Sequence, residues 1–206
     1  GGKNNMTLNK LEAINISKTF KQRQRFFQWK EYQVLNDISI TIKKGEITGL
    51  LGLNGAGKTT TLKMLTGIIM PTSGKVDVLG YFPFVKKKEY LRRIAMVMGN
   101  KSQLWWDLPA LDTFELNKII YEIDDLEYKN TLNSMIEIMG VEKQLNVQVR
   151  RLSLGERMKM ELIASLIHKP DIVFLDEPTI GLDVNISLEF RQLITHLCQE
   201  RNIGVL

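Results

Sequence analysis

Apolar and polar residues alternate along two early stretches of the chain, and short apolar runs recur further on. The alternation at residues 11–17 and 34–42 predicts two strands, each with one buried face. The largely apolar stretch 47–51, which lies between turn residues, predicts a short buried strand. Similar patterns predict further strands at residues 75–79, 94–98, 172–175 and 203–206.

Apolar residues recur with helical spacing between most of these strands. The spacing predicts helices over residues 59–65, 86–92, 113–123, 126–139 and 188–200. Gly67 follows the first of them and is expected to cap its C-terminus. Strands that alternate with helices predict an α/β fold with a mostly parallel sheet. The basic, aromatic-rich segment 21–33 does not fit this order and predicts a long inserted loop.

Composition narrows the class of protein. The 206 residues are 44% hydrophobic and 25% charged, which is typical of a globular chain with one sizeable core. A single cysteine excludes an internal disulfide framework, and no apolar run approaches the roughly 18–20 residues that cross a bilayer. Residues 1–10 are expected to be a tag remnant or a disordered N-terminus. The net charge of +5 does not discriminate among nucleic acid, a nucleotide and an anionic membrane.

A glycine-rich loop, GLNGAGKT, follows the third predicted strand and ends in Lys58 and Thr59. Its glycines let backbone N–H groups surround phosphates, and the helix that follows adds a partial positive charge at its N-terminus. The motif predicts that Lys58 reaches the β- and γ-phosphates of a nucleotide and that the Thr59 hydroxyl binds Mg²⁺. The other residues expected to line the phosphates are Gly52, Asn54, Gly55, Ala56, Gly57 and Thr60.

Two carboxylates end the apolar run at residues 172–175. A buried strand that ends in Asp176 is expected to bring this carboxylate to the phosphate loop, where it would hold Mg²⁺ through water. Glu177 lies just beyond the strand end and could polarise an attacking water. Two solvated acids at a strand end are the alternative, but the phosphate loop in the same chain favours the catalytic interpretation.

The segment LSLGE at residues 152–156 begins another predicted helix. Ser153 and Glu156 have the spacing of a capping box, and the apolar positions that follow continue the helix to Leu166. A helix N-terminus with an exposed Ser153 and Gly155 is also a phosphate-binding surface. Both interpretations are compatible.

The phosphate loop, LSLGE, Asp176-Glu177 and the Gly-Leu-Asp ending at Asp183 together resemble the nucleotide-binding domain of ATP-binding cassette (ABC) proteins. The resemblance implies one domain over residues 11–206, with a P-loop NTPase (RecA-like) core. It also implies an N-terminal antiparallel β subdomain and an α-helical subdomain inserted at about residues 100–168. Two such domains would bind ATP and Mg²⁺ between the phosphate loop of one copy and the LSLGE segment of the other, as a homodimer or a paired ATPase.

The resemblance also implies roles for single residues. Ser153 and Gly155 would contact the γ-phosphate bound by the partner copy, and Asp183 would lie at the dimer interface and couple the two sites. Phe20, expected after the first strand, would stack on adenine, unless it is only a hydrophobic plug. The glutamine that senses Mg²⁺ in this family would correspond to Asn100 or, with a shifted loop, to Gln103.

Three departures from the family pattern are visible. Leu154 and Glu156 replace a glycine and a glutamine, so Glu156 is expected to turn back and cap its own helix. Asn100 replaces the sensing glutamine. The family's switch histidine would follow the strand at residues 203–206, and the chain stops at Leu206, so weak hydrolysis is expected.

The segment 101–109 and the basic insertion resemble the daunorubicin-resistance-like branch of bacterial drug-exporter ATPases. Trp105 and Trp106 are then either core residues or part of a groove for a transmembrane subunit. The chain would be the ATPase subunit of an exporter, bound to a permease at the cytoplasmic face of the membrane. Alternatives are an ABC-type ATPase acting on nucleic acid or ribosomes, a GTPase, and a binding-only module. The expected paired cassettes, zinc modules and guanine-reading carboxylate are not found in the sequence.

Overall fold

The computed structural model describes residues 10–23, 29–53 and 55–206. Two compact units divide the chain: residues 1–91 with 204–206 form the first, and residues 92–203 form the second. Asn54 and residues 1–9, most of the predicted N-terminal remnant, lie outside the described residues.

A three-stranded antiparallel sheet forms much of the first unit. β1 (Lys10–Arg23) lies in the middle, with β2 (Trp29–Lys43) on one side and β3 (Ser73–Val78) on the other. The buried residues of β1 are Leu11, Ala13 and Ile16. Alternation places only Leu11 and Ala13 on one face, and the register shift between Ala13 and Ile16 accounts for the burial of Ile16 as well. The antiparallel β subdomain predicted for this part of the chain is confirmed.

The basic segment 21–33 is not the inserted loop that the sequence predicted. β1 and β2 continue into it, with Phe20 opposite Tyr32 and Arg23 opposite Trp29. The Phe20 and Tyr32 rings stack with centroids 6.0 Å apart. Such cross-strand aromatic pairs stabilise a hairpin, so strand pairing extends further than the hydrophobic alternation does. Residues 24–28 lie outside the described residues.

The buried strand predicted at residues 47–51 is wrong in part. Ile47 forms an isolated parallel bridge with Val205 of β6 (Gly204–Val205), and the Thr48 N–H donates to the Val205 carbonyl at 2.8 Å. Leu51 is 94% exposed. The stretch is therefore extended but not a buried strand, because an apolar run is buried only when neighbouring elements cover both of its faces.

The first helix, α1 (Lys58–Leu65), ends where the glycine signal predicted. Gly67 has a φ of 78° and donates its N–H to the Met64 carbonyl at 3.1 Å. A Cβ at this position would lie 2.5 Å from the Pro83 carbonyl oxygen, so both the conformation and the close backbone approach require glycine. The next predicted helix, residues 86–92, is only the single turn α2 (Lys88–Leu91), since Lys86 is left-handed and caps the preceding 3₁₀ turn.

The second unit contains a parallel pair of strands and four longer helices among the described residues. β4 (Ile94–Met98) pairs with β5 (Ile172–Asp176) in parallel, with Met98 opposite Asp176. The helices are α3 (Ala110–Ile120), α4 (Asp125–Met139), α5 (Leu154–Leu166) and α6 (Val184–Arg201). The predicted inserted segment at residues 100–168 covers α3 to α5, and its bounds as a subdomain stay a prediction.

Helix α5 begins with the capping box that the sequence predicted. The Ser153 hydroxyl accepts the Glu156 N–H at 3.2 Å, and the Glu156 carboxylate accepts the Ser153 N–H at 2.9 Å. Gln144 donates its side-chain amide to the same carboxylate at 3.0 Å. The bond from the Ser153 backbone lowers the pKa of Glu156 below its ordinary value, and the Gln144 amide adds to this effect.

We expect Gly67→Ala to destabilise the protein strongly. A left-handed conformation costs an alanine about 1–2 kcal/mol, and the clash with the Pro83 carbonyl adds to it. The matched control is Gly140→Ala at the end of α4, where φ is 61° and no atom lies within 4 Å of the added Cβ. Thermal unfolding should show the larger drop in Tm for Gly67→Ala, and equal drops would contradict the steric argument.

Glu156→Gln should make the free energy of unfolding fall less steeply as the pH is lowered from 7 to 3. Because the folded pKa of Glu156 is lowered, its ionised form stabilises the fold above the unfolded pKa of about 4.3, and this contribution is lost as the pH falls through the folded pKa. The amide can still accept the Ser153 N–H, so at neutral pH the variant should lose less than about 1 kcal/mol. Urea unfolding between pH 3 and pH 7 measures this, with the exposed Glu137→Gln on α4 as the control. An equally steep fall in both variants would exclude the effect.

Candidate functional site

The Lys58 ammonium group is held at the phosphate loop by two backbone carbonyls. Its Nζ donates to the Gly52 carbonyl at 2.8 Å and to the Leu53 carbonyl at 3.0 Å. These bonds fold the side chain back from α1 across the loop. The motif predicts that this cation contacts the β- and γ-phosphates, and the contact stays a prediction.

The N-terminus of α1 is suited to bind an anion. Gly57 occupies the N-cap with a φ of 88°, and a Cβ there would lie 2.6 Å from Cδ2 of Leu35. No side chain caps the helix, and its first turn carries no acidic residue. The N–H groups of this turn therefore suit phosphate oxygens. Thr59 and Thr60 lie half-buried in the same turn, and Asn54 is outside the described residues.

Phe20 lies within β1, whereas the sequence predicted that it would follow the first strand. Its ring stacks on Tyr32, and the Lys18 Nζ lies 5.1 Å from its centroid. Tyr32 is exposed, so the pair presents an aromatic surface at the edge of the first unit. The surface could accept a base on one ring, and the contact with adenine stays a prediction.

The acidic end of β5 presents two carboxylates in different environments. Asp176 is 9% exposed, and its backbone carbonyl accepts the Gly99 N–H at 2.9 Å. Glu177 is exposed and has a φ of 50°, a left-handed conformation that few non-glycine residues adopt. Such conformations are concentrated at functional sites. The turn directs the chain out of the strand immediately after Asp176, which leaves the second carboxylate accessible to water.

The two candidates for the sensing amide have different surroundings. Asn100 is exposed and directly follows Gly99, whose N–H bonds the end of β5. Gln103 donates its side-chain amide to the Glu161 backbone carbonyl at 3.1 Å and its backbone N–H to the Glu161 carboxylate at 3.1 Å. The Gln103 amide is thus held at α5, whereas the Asn100 side chain is exposed, and the choice between the two residues stays a prediction.

Glu161 is a residue that the sequence reasoning missed. It is 3% exposed and lies in α5 among apolar neighbours. The signal that could have found it is a carboxylate at a buried position of an amphipathic helix, where an acid needs bonding partners.

The LSLGE segment and the segment before α6 pack together. Asp183 is the N-cap of α6 and accepts the Ile186 N–H at 3.0 Å. Gly155 is buried, and a Cβ on it would approach Cγ2 of Ile186 to 3.0 Å. A Cβ on Gly181 would lie 3.2 Å from Leu154. Leu154, which replaces the family's glycine, therefore packs beside Gly181. The structure also brings the predicted residues Ser153, Gly155 and Asp183 into one region.

Trp105 and Trp106 lie on the surface. Each is 51% exposed, whereas the neighbouring Leu104 is buried. The Arg157 guanidinium lies 5.1 Å from the Trp106 ring centroid, and the Arg150 N–H donates to the Trp106 carbonyl at 3.0 Å. The interpretation of the tryptophans as core residues is wrong.

The chemistry of the donors is compatible with Mg²⁺ as a companion of the nucleotide. No group of three or more His, Cys, Asp or Glu residues that could hold a metal occurs in the described part of the chain. Mg²⁺ needs no such group, because it keeps several waters and takes one or two carboxylates together with substrate phosphates. The Thr59 hydroxyl in the first unit and the Asp176 carboxylate in the second unit are oxygen donors of this kind, and their sharing of one Mg²⁺ stays a prediction. None of the helices formed by the described residues has the length and hydrophobicity to cross a membrane.

Comparisons with known proteins identify related chains. A profile of the ABC transporter family matches residues 35–180, more than half of the chain. The bacitracin transport ATP-binding protein BcrA of Bacillus licheniformis is 38% identical over 171 residues, which are 83% of this chain and 55% of that protein. The ABC transporter ATP-binding protein NatA of Bacillus subtilis is 35% identical over 185 residues, or 89% of this chain and 75% of that one.

A solved structure has the same fold. CbiO1 of Clostridium perfringens, described as part of the ABC transporter complex cbiONQ, aligns with a TM-score of 0.79 over 95% of this chain and 76% of that chain, at 22% identity. This likeness supports the α/β P-loop NTPase fold with its antiparallel sheet, parallel strands and helices. With the matched profile and the two relatives, the conclusion is that the chain belongs to the ABC transporter family, as an ATP-binding domain.

Proposed function

We propose that this chain hydrolyses ATP with Mg²⁺ and thereby drives a membrane exporter. The observation that carries the proposal is the phosphate loop, where the Lys58 ammonium is fixed by two loop carbonyls in front of a helix that has no side-chain cap. A cation and a helix N-terminus without a side-chain cap together favour a triphosphate. The family to which the chain belongs hydrolyses ATP to power transport.

Each polar residue predicted at the site has its own role in ATP hydrolysis. Lys58 neutralises charge on the β- and γ-phosphates, and Thr59 and Asp176 would hold Mg²⁺, which would supply further charge neutralisation. Glu177 accepts a proton from the water that attacks the γ-phosphorus, while the bond from that phosphorus to the ADP oxygen breaks. Asn100 would contact the metal shell through water. The exposure of Glu177 and the burial of Asp176 support this division.

A second copy, or a related ATPase, completes the site. The Ser153 hydroxyl accepts the Glu156 N–H at the helix start, and a hydroxyl in this position can also donate to a phosphate oxygen of the partner. The Glu156 carboxylate is turned back onto its own helix and onto Gln144, which keeps its charge directed away from that phosphate. Asp183, which caps α6 beside this segment, would then lie at the dimer interface and couple the two ATP sites.

The membrane partner is a permease, and the chain works at the inner face of the membrane. One relative is named for bacitracin transport, which supports the drug-exporter branch. The exposed pair Trp105 and Trp106 supports a docking surface for the permease, because tryptophan is favoured at interface centres. The hairpin of β1 and β2 carries basic residues that suit anionic lipid.

Lys58→Ala should greatly weaken ATP binding and hydrolysis. The loss of a charge-assisted contact with the phosphates is expected to lower ATPase activity on the order of 100-fold. Lys63→Ala is the matched control, since Lys63 lies in the last turn of the same helix. Nucleotide binding by equilibrium dialysis and phosphate release measure both steps. Normal ATP binding by Lys58→Ala, with a folded control, would refute the assignment of the loop.

Glu177→Gln should stop hydrolysis without preventing ATP binding. Removal of a general base costs on the order of 100-fold or more in rate, and the trapped nucleotide should produce an ATP-dependent dimer. Light scattering with size-exclusion chromatography detects the dimer, and Glu200→Gln at the exposed end of α6 is the control. Hydrolysis at the unchanged rate in Glu177→Gln would remove Glu177 from its role.

A further inference from the structure

The buried carboxylate of Glu161 joins helix α5 to the segment that follows β4. It accepts the Ser102 hydroxyl and the Gln103 N–H, the latter at 3.1 Å and 3.3 Å to its two oxygens. The Glu161 backbone carbonyl takes the Gln103 side-chain amide at 3.1 Å. Both the side chain and the backbone of one helical residue therefore hold the same short segment.

The segment itself is tightly folded. The Ser102 hydroxyl accepts the Leu104 N–H at 3.1 Å, and Leu104 is buried. Residues 102–104 cannot move away from α5 without breaking these bonds and exposing a leucine. Asn100 lies two residues before the segment, next to the Gly99 that bonds the end of β5.

The other end of the connection is the start of α5. Ser153 caps this helix about 12 Å along the axis from Glu161, two turns away. A helix of this length is stiff, and its capping box fixes the first turn. A displacement of the helix start is therefore carried to Glu161 as a movement of the whole rod.

We propose that Glu161 is a positioning residue that makes the placement of Asn100 follow the placement of Ser153. When Ser153 engages a phosphate, α5 shifts as a unit, and Glu161 moves residues 102–104 and the preceding turn with it. Among the described residues Glu161 has no cationic partner, so its acceptor capacity is used by this segment alone. The coupling rests on the proposed function, whereas the bonds that carry it do not.

The first experiment tests the bonds in the full chain without nucleotide. Hydrogen exchange of the Gln103 amide should accelerate about tenfold in Glu161→Leu, because its acceptor is lost. Glu161→Gln keeps an acceptor oxygen and should protect this amide, as should the control Glu137→Gln on the exposed face of α4. Unchanged protection in Glu161→Leu would overturn the proposal. If circular dichroism shows that Glu161→Leu does not fold, Ser102→Ala is measured in its place. The exchange of the Gln103 amide should then accelerate as well, but by less than tenfold.

The second experiment tests the coupling. In a Trp29→Phe background the two remaining tryptophans, Trp105 and Trp106, directly follow the held segment and report on it by fluorescence. Mg-ATP should change their emission in the parent and in Glu161→Gln, but not in Glu161→Leu at saturating ATP. The Mg²⁺ concentration for half-maximal hydrolysis should rise about tenfold in Glu161→Leu, while KM for ATP stays within about threefold.

The outcomes separate this inference from the proposed function. Faster Gln103 exchange with unchanged fluorescence response and unchanged Mg²⁺ dependence would make Glu161 purely structural and overturn the coupling. Failure of the parent chain to bind Mg-ATP would refute the proposed function, and the exchange of the Gln103 amide would then decide whether Glu161 holds the segment.

Discussion

The backbone N–H groups in the first turn of a helix have no partner within that helix and need partners from elsewhere. Helices α1, α5 and α6 meet this need in different ways. Helices α5 and α6 satisfy it with their own side chains, through Ser153 and Asp183. Helix α1 starts at Gly57 with no capping side chain and no acidic residue in its first turn. Lys58 belongs to this helix, so a helix start without a side-chain cap and a held cation occur together at the phosphate loop.

The parallel pairing of β4 and β5 provides the second constraint. Parallel strands end at the same edge, and the Gly99 N–H bonds the Asp176 carbonyl there. Asn100, Asp176 and Glu177 therefore share one edge although they are far apart in sequence. The left-handed turn at Glu177 then separates the two acids, so that one is buried and the other meets solvent. Two neighbouring carboxylates with different surroundings can take different roles.

Local signals in the sequence predicted the features that local physics determines. The phosphate loop, the capping box at Ser153 and the end of α1 at Gly67 depend on residues within one turn of each other, so their spacing sufficed. The extension of the β1–β2 hairpin did not follow from alternation, because it depends on the cross-strand pair Phe20 and Tyr32. Burial of residues 47–51 depends on neighbours that no pattern reports, and Leu51 is exposed. Glu161 was missed for the same reason, since its partners are remote in sequence.

The energetics of Glu161 suggest why a carboxylate occupies a position that an apolar residue could fill. Burying an ion without a counter-charge costs several kcal/mol, and hydrogen bonds to a charged group return only about 1.5–3 kcal/mol each. The bonds from Ser102 and Gln103 therefore roughly offset the cost of burial and leave little net stability. What they do provide is direction, because a hydrogen bond fixes distance and angle where an apolar contact does not. A residue that contributes geometry and little stability is expected where one element must follow another.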